Sequence, residues 1–414
     1  MLIEKYSMGI GDRFARQGIA QLRAFVEAAK AGVKVTPVWN KSNREHLTIK
    51  TKPDDVRIEA DEATRTLEWN KPYHVDADHI GLETVDRFIA SSDFFTLDVA
   101  DFTGKPADPE EVEAFTERNK HLADSIVLPG QSEPLSLSAD QIKQAAMRYL
   151  LAVKEAGSIF RHIADTRDPD TFITEVSMDE TDTPQTPAEL LVILAAIAEE
   201  KIPAQTIAPK FSGRFNKGVD YVGDVQAFAA EFEADIAVVQ YAIQTFDLPP
   251  SLKLSVHSGS DKFAIYPVIN HAIKKADVGL HIKTAGTTWL EEVIGLANAN
   301  PEGLAMAKQI YTISYARYDE LCSPYAAVID IDPSQLPAPE TVFQWDGATF
   351  AHALRHELSC SNYNPHLRQL IHVGYKVAAE MGTDYLHALD ACASTIAEGV
   401  THNILNRHLL PVFG

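Results

Sequence analysis

In TFITEVSMDETDTPQTPAELLVILAAIAEEKIPAQTIAPKF, residues 171–211, two short apolar runs flank a longer segment with a different spacing. The two runs, 171–177 and 206–211, carry β-branched and aromatic residues, which are typical of strands. Segment 187–200 places its apolar residues three and four positions apart, as a buried helix face does. A strand, a helix and a second strand in this order predict two parallel strands joined by a crossover helix.

The same alternation runs through the first 300 residues, with further helical segments at 14–30, 225–245 and 289–299. Eight such strands favour an α/β fold of the TIM type, the (β/α)8 barrel. An open doubly wound sheet is the alternative, but the sequence lacks the GxGxxG turn that this fold often carries. The predicted strands are 3–9, 33–39, 73–78, 94–100, 171–177, 206–211, 252–257 and 279–284.

Two regions exceed what a barrel needs. Residues 102–168 are longer than one connection, and a helix predicted at 139–163 makes them a helical insertion after strand 4. The strand–helix rhythm ends near residue 300. We therefore assign 1–300 to the barrel and 301–414 to a mainly helical C-terminal extension packed on it, with a separate small domain as the alternative.

Composition limits the possible partners. The 414 residues carry a formal net charge of −21, which argues against a nucleic-acid surface because such surfaces cluster Lys and Arg. No apolar run approaches the roughly 18 residues of a membrane span. Three cysteines are too few for a disulfide framework, which favours the cytoplasm. We expect a small-molecule substrate, no nucleic acid, no membrane and a possible homo-oligomer.

Ionisable residues collect at the carboxyl ends of the predicted strands, where α/β barrels hold their active sites. His79 and His257 are expected to meet in the barrel mouth, with His281 as a third candidate ligand. Imidazoles with nearby carboxylates suit a divalent cation, whether Mn, Co, Ni, Zn or Fe. The alternative for each histidine is a hydrogen-bonded core residue.

Asp78 and Glu175 are the best pair for acid–base work, because two carboxyls in different surroundings can take opposite roles. Asp78 has the alternative role of an N-cap. Asp179 and Glu180, which follow the fifth strand, are interpreted as a helix-capping loop that could also orient a sugar.

Further residues at the strand ends are expected to bind substrate. The loop HSGSDK, 257–262, has the glycine, hydroxyls and cation of a small anion cradle. One lysine of Lys210, Lys217 and Lys283 could instead form a Schiff base. The candidate substrate-binding residues are Asp12, Arg13, Asp98, Lys210, Arg214, Lys217, Ser258, Asp261, Lys262 and Lys283.

Eight of these motifs, taken in order along almost the whole chain, resemble the tagaturonate epimerase family, also called UxaE. HSGSDKF and the KTAGT part of HIKTAGT are the most specific of them. The motifs are GDR at 11–13, DADH at 76–79, FITEVS at 172–177, DET at 179–181, KGVDY at 217–221, HSGSDKF at 257–263, HIKTAGT at 281–287 and RQLIHV at 368–373.

The resemblance implies a metal-dependent isomerase that interconverts D-tagaturonate and D-fructuronate. Asp78 matches the family's proton acceptor, Glu175 its proton donor, and His79 and His257 its metal ligands. The inverted carbon is β to the ketone, so we expect cleavage and re-formation of a carbon–carbon bond. Arg13, Lys262 or Arg214 would hold the substrate carboxylate.

Other functions remain open from the sequence. One is a ketohexose 4-epimerase acting on fructose and tagatose, and another is a metal-dependent sugar-acid aldolase or isomerase on the same scaffold. A non-catalytic sugar-acid binding protein is least favoured, because binding alone needs no Asp78, Glu175 and metal pair together.

Overall fold

The computed structural model describes residues 1–284 and 286–414. Its core is a closed barrel of eight parallel strands that follow one another around the ring in chain order. The predicted (β/α)8 barrel is therefore confirmed. Strand bounds shift by a few residues, and the sixth strand ends early because Pro209 has no N–H for the sheet ladder. The strands are Tyr6–Ile10, Thr36–Ser42, His74–Ile80, Phe94–Asp98, Ile173–Ser177, Thr206–Ala208, Lys253–His257 and Leu280–Lys283.

Helices surround the barrel. Seven of its eight strands are followed by α-helices, whereas the described connection after the third strand contains a single 3₁₀ turn, Val85–Arg87. Within the described ranges, no helix combines the length and the apolar character that crossing a membrane requires. The helices outside the barrel up to residue 300 are Gly18–Lys30, Asn43–Ile49, Pro53–Thr66, Pro109–Arg118, Ala139–Ala164, Pro187–Glu199, Val225–Phe246, Tyr266–Ala276 and Gly286–Ala299.

The residues between the fourth and fifth barrel strands contain more than an insertion. Helix Ala139–Ala164 begins at a capping box formed by Ser138 and Gln141 and packs against Pro187–Glu199. It is therefore the ordinary crossover helix of the fourth unit. The added part comes before it and consists of helix Pro109–Arg118, two short antiparallel strands and 3₁₀ turns. The strands are Ser125–Ile126 and Leu135–Ser136, and the 3₁₀ turns before the crossover helix are Ala100–Phe102 and Lys120–Leu122. A further 3₁₀ turn, Pro169–Thr171, follows that helix.

Residues 301–414, the C-terminal extension, are helical and pack on the barrel's outer helices. Helix Ala393–His402 packs closely on helix Gly286–Ala299. Gly295 permits this approach, since a Cβ at that position would come 2.6 Å from Ile396. The elements of the extension are helices Pro301–Ala316, Tyr318–Cys322, Pro339–Phe343, Gly347–Leu354, Pro365–Val373, Tyr375–Met381, Thr383–Ala391, Ala393–His402 and Leu410–Phe413, 3₁₀ turns Ser323–Val328 and Pro333–Gln335, and the π-helical stretch Asn403–Leu409.

A buried carboxylate joins the loop after the seventh strand to the extension. Asp261 is fully buried and lies 2.7 Å from the guanidinium of Arg368. Its oxygens also lie 3.2 Å from His356 and 3.2 Å from His408. Burial by itself raises the pKa of Asp261, but Arg368 and the two histidines hold it well below its usual range. Asp261 is thus an anchor of the fold, in contrast to its expected contact with substrate.

The neighbouring cation is equally enclosed. The Lys262 ammonium donates to the carbonyls of Asn216 at 3.0 Å and Val219 at 2.9 Å, and to the Ser260 hydroxyl at 3.0 Å. Its side chain is fully buried, and burial lowers its pKa to about 7. Lys262 therefore ties two barrel loops together rather than facing a substrate.

The Arg368 contact can be tested by stability. We expect Arg368→Met to lower the free energy of unfolding by about 3–5 kcal/mol, because Asp261 would remain buried without its guanidinium. Arg118→Met removes an exposed arginine paired with Glu199, and we expect it to cost less than about 1 kcal/mol. Urea unfolding of both variants measures the difference, and equal losses would contradict the anchoring role.

Asp235 is a buried acid outside the cluster of Asp261. Asp235 is 1% exposed, and neither carboxyl oxygen has a hydrogen-bond partner among the described residues. Burial, and then the charge of Glu231, raises the pKa of Asp235 well above its usual value. The folded state therefore holds this proton to higher pH than the unfolded chain, so stability falls as pH rises above the ordinary aspartate pKa.

We expect Asp235→Asn to be more stable than the unaltered protein by about 1–3 kcal/mol at pH 8. The difference should shrink towards pH 4, where the native carboxyl is protonated. Thermal unfolding across this pH range measures it, with the exposed Glu62→Gln as the control. A difference that does not change with pH would show that Asp235 does not titrate in this way.

Candidate active site

A cavity of about 740 Å³ opens at the carboxyl ends of the barrel strands. Its wall is completed by the C-terminal extension, through residues that include Tyr325, His372 and Tyr375. Ten of the residues predicted from the sequence line it: Arg13, Asp78, His79, Asp98, Lys210, Arg214, Lys217, His257, Ser258 and Lys283.

Lys283 occupies the centre of the barrel mouth. Its ammonium lies 2.8 Å from Asp76, 2.9 Å from Asp78 and 2.9 Å from Glu175. The side chain has room to cross the barrel because its neighbour in the first strand is Gly9, where a Cβ would come 2.9 Å from Lys283 Cγ. The three carboxylates compensate a charge that is costly to bury alone.

Glu175 is held between two threonines by the sheet register, since it pairs with Thr96 on one side and Thr206 on the other. The Thr206 hydroxyl donates to Oε2 at 2.7 Å, and His257 Nε2 lies 2.8 Å from Oε1. Burial alone raises the pKa of Glu175, but Lys283 and His257 hold it well below its usual range. Glu175 is fully buried behind the cavity wall and is an ionised acceptor in this state.

The two aspartates of the third strand differ in pKa. Burial raises the pKa of Asp76 to about 7, in spite of Lys283. Burial acts in the same direction on Asp78, but Lys283 and His79 outweigh it and bring the pKa of Asp78 to about 2. Asp78 therefore faces the cavity as a carboxylate that can accept a proton.

His79 reaches the mouth through an irregular strand end. The pairing of the third and fourth strands shifts register between Ala77 and Ile80, and His79 has a left-handed φ of 51°. This conformation, uncommon outside glycine, turns the ring towards Asp98, whose carboxylate lies 3.0 Å from Nδ1. His79 Nε2 is left facing Asp78 at 3.8 Å.

His257 meets His79 with ring centroids 5.3 Å apart and rings nearly perpendicular. Its Nε2 donates to Glu175, which leaves Nδ1 as the free nitrogen. That nitrogen lies 3.1 Å from Asp179 Oδ2, but without hydrogen-bond geometry. Burial alone lowers the pKa of His257, but Asp179 and Glu175 raise it to about 9 in the absence of a metal.

His79, His257 and Asp179 together could hold a metal ion, because one ligand atom from each lies within 4.8 Å of the others. Two imidazoles and a carboxylate suit a divalent transition metal. The buried, unbonded Nδ1 of His257 points into this group and supports the fit. Asp98 and Glu175 bind the opposite ring nitrogens, as residues behind metal ligands commonly do.

Asp179 belongs to this group, although the sequence pattern placed it in a helix-capping loop. The capping role expected for the 179–180 loop belongs to Thr186, whose hydroxyl accepts from the backbone of Glu189. Asp179 continues the two-residue period of Glu175 and Ser177 beyond the end of the fifth strand. That periodicity was the signal in the sequence that could have identified it.

His281 lies away from the cluster. It is on the same face of the eighth strand as Lys283 but two residues, or about 6.6 Å, deeper in the barrel. There its Nδ1 lies 2.9 Å from the Ser7 hydroxyl, its ring packs on Phe94, and burial lowers its pKa to about 3. The structure thus places it in the core beneath the site.

Asp12 also lies outside the cavity lining. Its carboxylate accepts backbone N–H bonds from Phe14 at 2.9 Å, Arg16 at 2.6 Å and Gln17. It shapes the turn that leads into helix Gly18–Lys30, and therefore holds the backbone beside Arg13 in place. Among the residues without an expected role, Arg44, Tyr325, His372 and Tyr375 line the cavity.

Comparison with known proteins identifies the family. A model of the UxaE family, described as tagaturonate epimerase, matches residues 1–389. A tagaturonate/fructuronate epimerase of Thermotoga maritima is 29% identical over an alignment of 381 residues, and this alignment covers 89% of this chain and 72% of the relative.

Crystal structures of the fructuronate-tagaturonate epimerase UxaE from Cohnella laeviribosi share the fold. The form with two glycerols has a TM-score of 0.81 at 20% identity and covers 100% of this chain and 82% of that one. The form with one glycerol has a TM-score of 0.77, again at 20% identity, and covers 98% and 82%. With the family model matching nearly its whole length, the chain belongs to the tagaturonate epimerase family, UxaE.

Proposed function

We propose that this protein is a divalent-metal-dependent epimerase that interconverts D-tagaturonate and D-fructuronate. Membership of the UxaE family and the activity named for the Thermotoga maritima relative support the reaction. The observation that carries the metal dependence is the group of His79, Asp179 and His257 beside the ionised Asp78.

His79, His257 and Asp179 would hold the cation. The free ring nitrogens are His79 Nε2 and His257 Nδ1, since each ring's other nitrogen is bonded to a carboxylate. When bound there, a divalent cation supplies Lewis-acid polarisation of the substrate's ketone and the adjacent hydroxyl. The site's carboxylates and Lys283 would fix the orientation of the remaining polar groups.

Asp78 would act as the base. The carbon to be inverted is β to the ketone, so its own hydrogen is not acidic. Asp78 takes the proton of the hydroxyl on that carbon, and the bond between this carbon and the α-carbon breaks. An aldehyde and an enediolate form. After the aldehyde turns over, the same bond forms on its other face and the new alkoxide regains a proton.

Glu175 would act through Lys283. It does not line the cavity, whereas Lys283 does and contacts both Glu175 and Asp78 at 2.9 Å. We assign Lys283 the delivery of a proton to the alkoxide, with Glu175 and Asp78 fixing its ammonium and balancing its charge. Glu175 is ionised and is in this scheme a positioning residue, in contrast to the proton donor that the resemblance implied. The proton that Asp78 took returns to Lys283 across their 2.9 Å contact, so the scheme closes without a net gain or loss of protons.

The role of Asp78 predicts loss of activity without loss of fold. Asp78→Asn should lower kcat by about 10²–10⁴-fold, because the amide cannot accept the proton. Metal content should stay close to that of the unaltered protein. The variant should still fold, with a lowered melting temperature, because Asp76 and Glu175 continue to compensate Lys283. Glu83→Gln, in the exposed loop after the same strand, is the control and should leave kcat unchanged. Turnover by Asp78→Asn at the normal rate would overturn the mechanism.

The contact of Asp98 with His79 predicts weaker metal binding. Asp98→Asn should lower the affinity for Mn²⁺ or Co²⁺ by about 10–100-fold, because the His79 ring loses the carboxylate that orients it. Titration calorimetry on metal-stripped protein measures the affinity. The exposed Asp101→Asn, three residues along the chain, should bind the cation normally. Identical affinities in the two variants would contradict the assigned role of His79.

The reaction itself is tested with metal-loaded protein and D-fructuronate in deuterated water, with the product analysed by NMR. Formation of tagaturonate without deuterium at the inverted carbon supports the proposal. Deuterium at that carbon would show that the carbon itself is deprotonated and would rule out the proposed bond cleavage. Conversion of fructose to tagatose in place of the uronate would identify a ketohexose 4-epimerase, and release of a three-carbon aldehyde would identify an aldolase.

A further inference from the structure

The charged residues of the cavity are divided unevenly. Asp179 belongs to the candidate metal group, Asp78 and Asp98 lie beside it, and three further acids, Glu45, Glu180 and Asp182, also line the cavity. Most of its cations are already committed to other groups. Lys283 contacts three carboxylates, and Arg13 lies 3.0 Å from Glu45 with both side chains largely buried.

Two further cations are also engaged. Lys210 donates to the carbonyl of Thr181, and the exposed Arg214 lies 3.4 Å from Asp330. Arg44 and Lys217 remain: both line the cavity, and neither forms an ion pair within the described residues. Glu180 and Glu45 are near enough to act on Arg44 and Lys217 electrostatically. In a protein of net charge −21, the exposed Arg44 and the partly buried Lys217 give this wall of the cavity a local positive charge that suits an anion.

Both cations converge on one tyrosine of the C-terminal extension. The Arg44 guanidinium lies 5.6 Å from the ring centre of Tyr325, and the Lys217 ammonium lies 5.7 Å from it. The Tyr325 hydroxyl is 3.2 Å from that of Tyr375, whose ring packs against Arg13 at 4.0 Å. Burial lowers the pKa of Lys217, the charge of Glu180 opposes this shift, and the positive charges of Arg44 and Arg13 add to it.

The loop that carries Lys217 is rigidly held. The backbone N–H of Lys217 donates to Val328 at 2.7 Å, and that of Gly218 donates to the Ser260 hydroxyl at 2.9 Å. Gly218 has a φ of 80°, and a Cβ there would come 3.3 Å from His372. The loop therefore holds the Lys217 backbone in place before any ligand arrives, which lowers the entropy cost of binding.

We propose that Arg44 and Lys217, with the Tyr325 hydroxyl, bind the carboxylate of the sugar acid and select it over neutral ketohexoses. A guanidinium, an ammonium and a phenol together offer the donors that a carboxylate accepts. This proposal rests on the proposed function, which describes the reaction at the ketone end of the same substrate. It also replaces Lys262 as a candidate, since the Lys262 ammonium is enclosed by protein oxygens.

The test compares a charged and an uncharged substrate. We expect Lys217→Gln and Arg44→Gln each to raise KM for D-fructuronate by about 10–100-fold with kcat changed less than about threefold. Turnover of D-fructose, where measurable, should be unchanged. Lys217→Arg retains the charge and should retain most of the uronate preference, and Tyr325→Phe should give a smaller rise in KM. Arg65→Gln, exposed on an outer helix, is the control.

Binding measured without turnover separates this proposal from the proposed function. Calorimetry with D-fructuronate, D-fructose and D-fructose 6-phosphate gives their affinities for the metal-loaded protein and for each variant. Tighter binding of the uronate that is lost in Lys217→Gln supports the subsite even if no epimerisation occurs. A uronate bound no better than fructose, or an unchanged KM in both variants, would overturn it. Preference for the phosphate would assign the site to a sugar phosphate instead and also overturn it.

Discussion

The ion cluster around Lys283 is the constraint on which the barrel mouth depends. Its ammonium is buried and is compensated by carboxylates from the third and fifth strands, so four side chains must meet at one depth. The closed barrel with this register brings them together, and Gly9 on the adjacent strand provides the space.

Removing one member of the cluster would leave the others buried with an unbalanced charge, which is costly. The cluster also gives Asp78 its ionised state, and through Glu175 it fixes the ring of His257. Structure and chemistry thus rest on the same set of contacts.

The C-terminal extension belongs to the site as much as the barrel does. Asp261 and Arg368 attach the loop after the seventh strand to it, and Lys262 connects that loop to the one after the sixth strand. Through these contacts the extension sets the backbone next to His257 and Lys217. It also supplies Tyr325 and Tyr375 directly to the cavity wall. The barrel strands and the loops after them carry the residues proposed for the chemistry, and the extension forms one part of the cavity wall around them.

Short-range patterns were sufficient for the fold and for the strand-end residues. All eight strands overlap the apolar runs that predicted them, and the rule that barrels gather their strand ends at one mouth brought Asp78, His79, His257 and Lys283 together. Alternation alone would separate the adjacent Asp78 and His79, and His79 joins the mouth through the irregular end of its strand. The patterns do not report depth along a strand, so His281 was grouped with residues that lie a layer above it. They also cannot show that Asp261 meets Arg368, because 107 residues separate the two. The same limit applies to Tyr325, which reaches Arg44 and Lys217 from a distant part of the chain.

The Asp261 contacts have a consequence for the order in which the protein matures. Synthesis proceeds from the N-terminus, and domains generally fold as they emerge. All eight strands have been made by residue 283, but the partners of Asp261 arrive only with His356, Arg368 and His408. During that interval the loop with Asp261 lacks the arginine and the two histidines that hold its carboxylate in the complete fold. The final shape of the catalytic mouth is therefore a late event in biogenesis, set after the scaffold has formed.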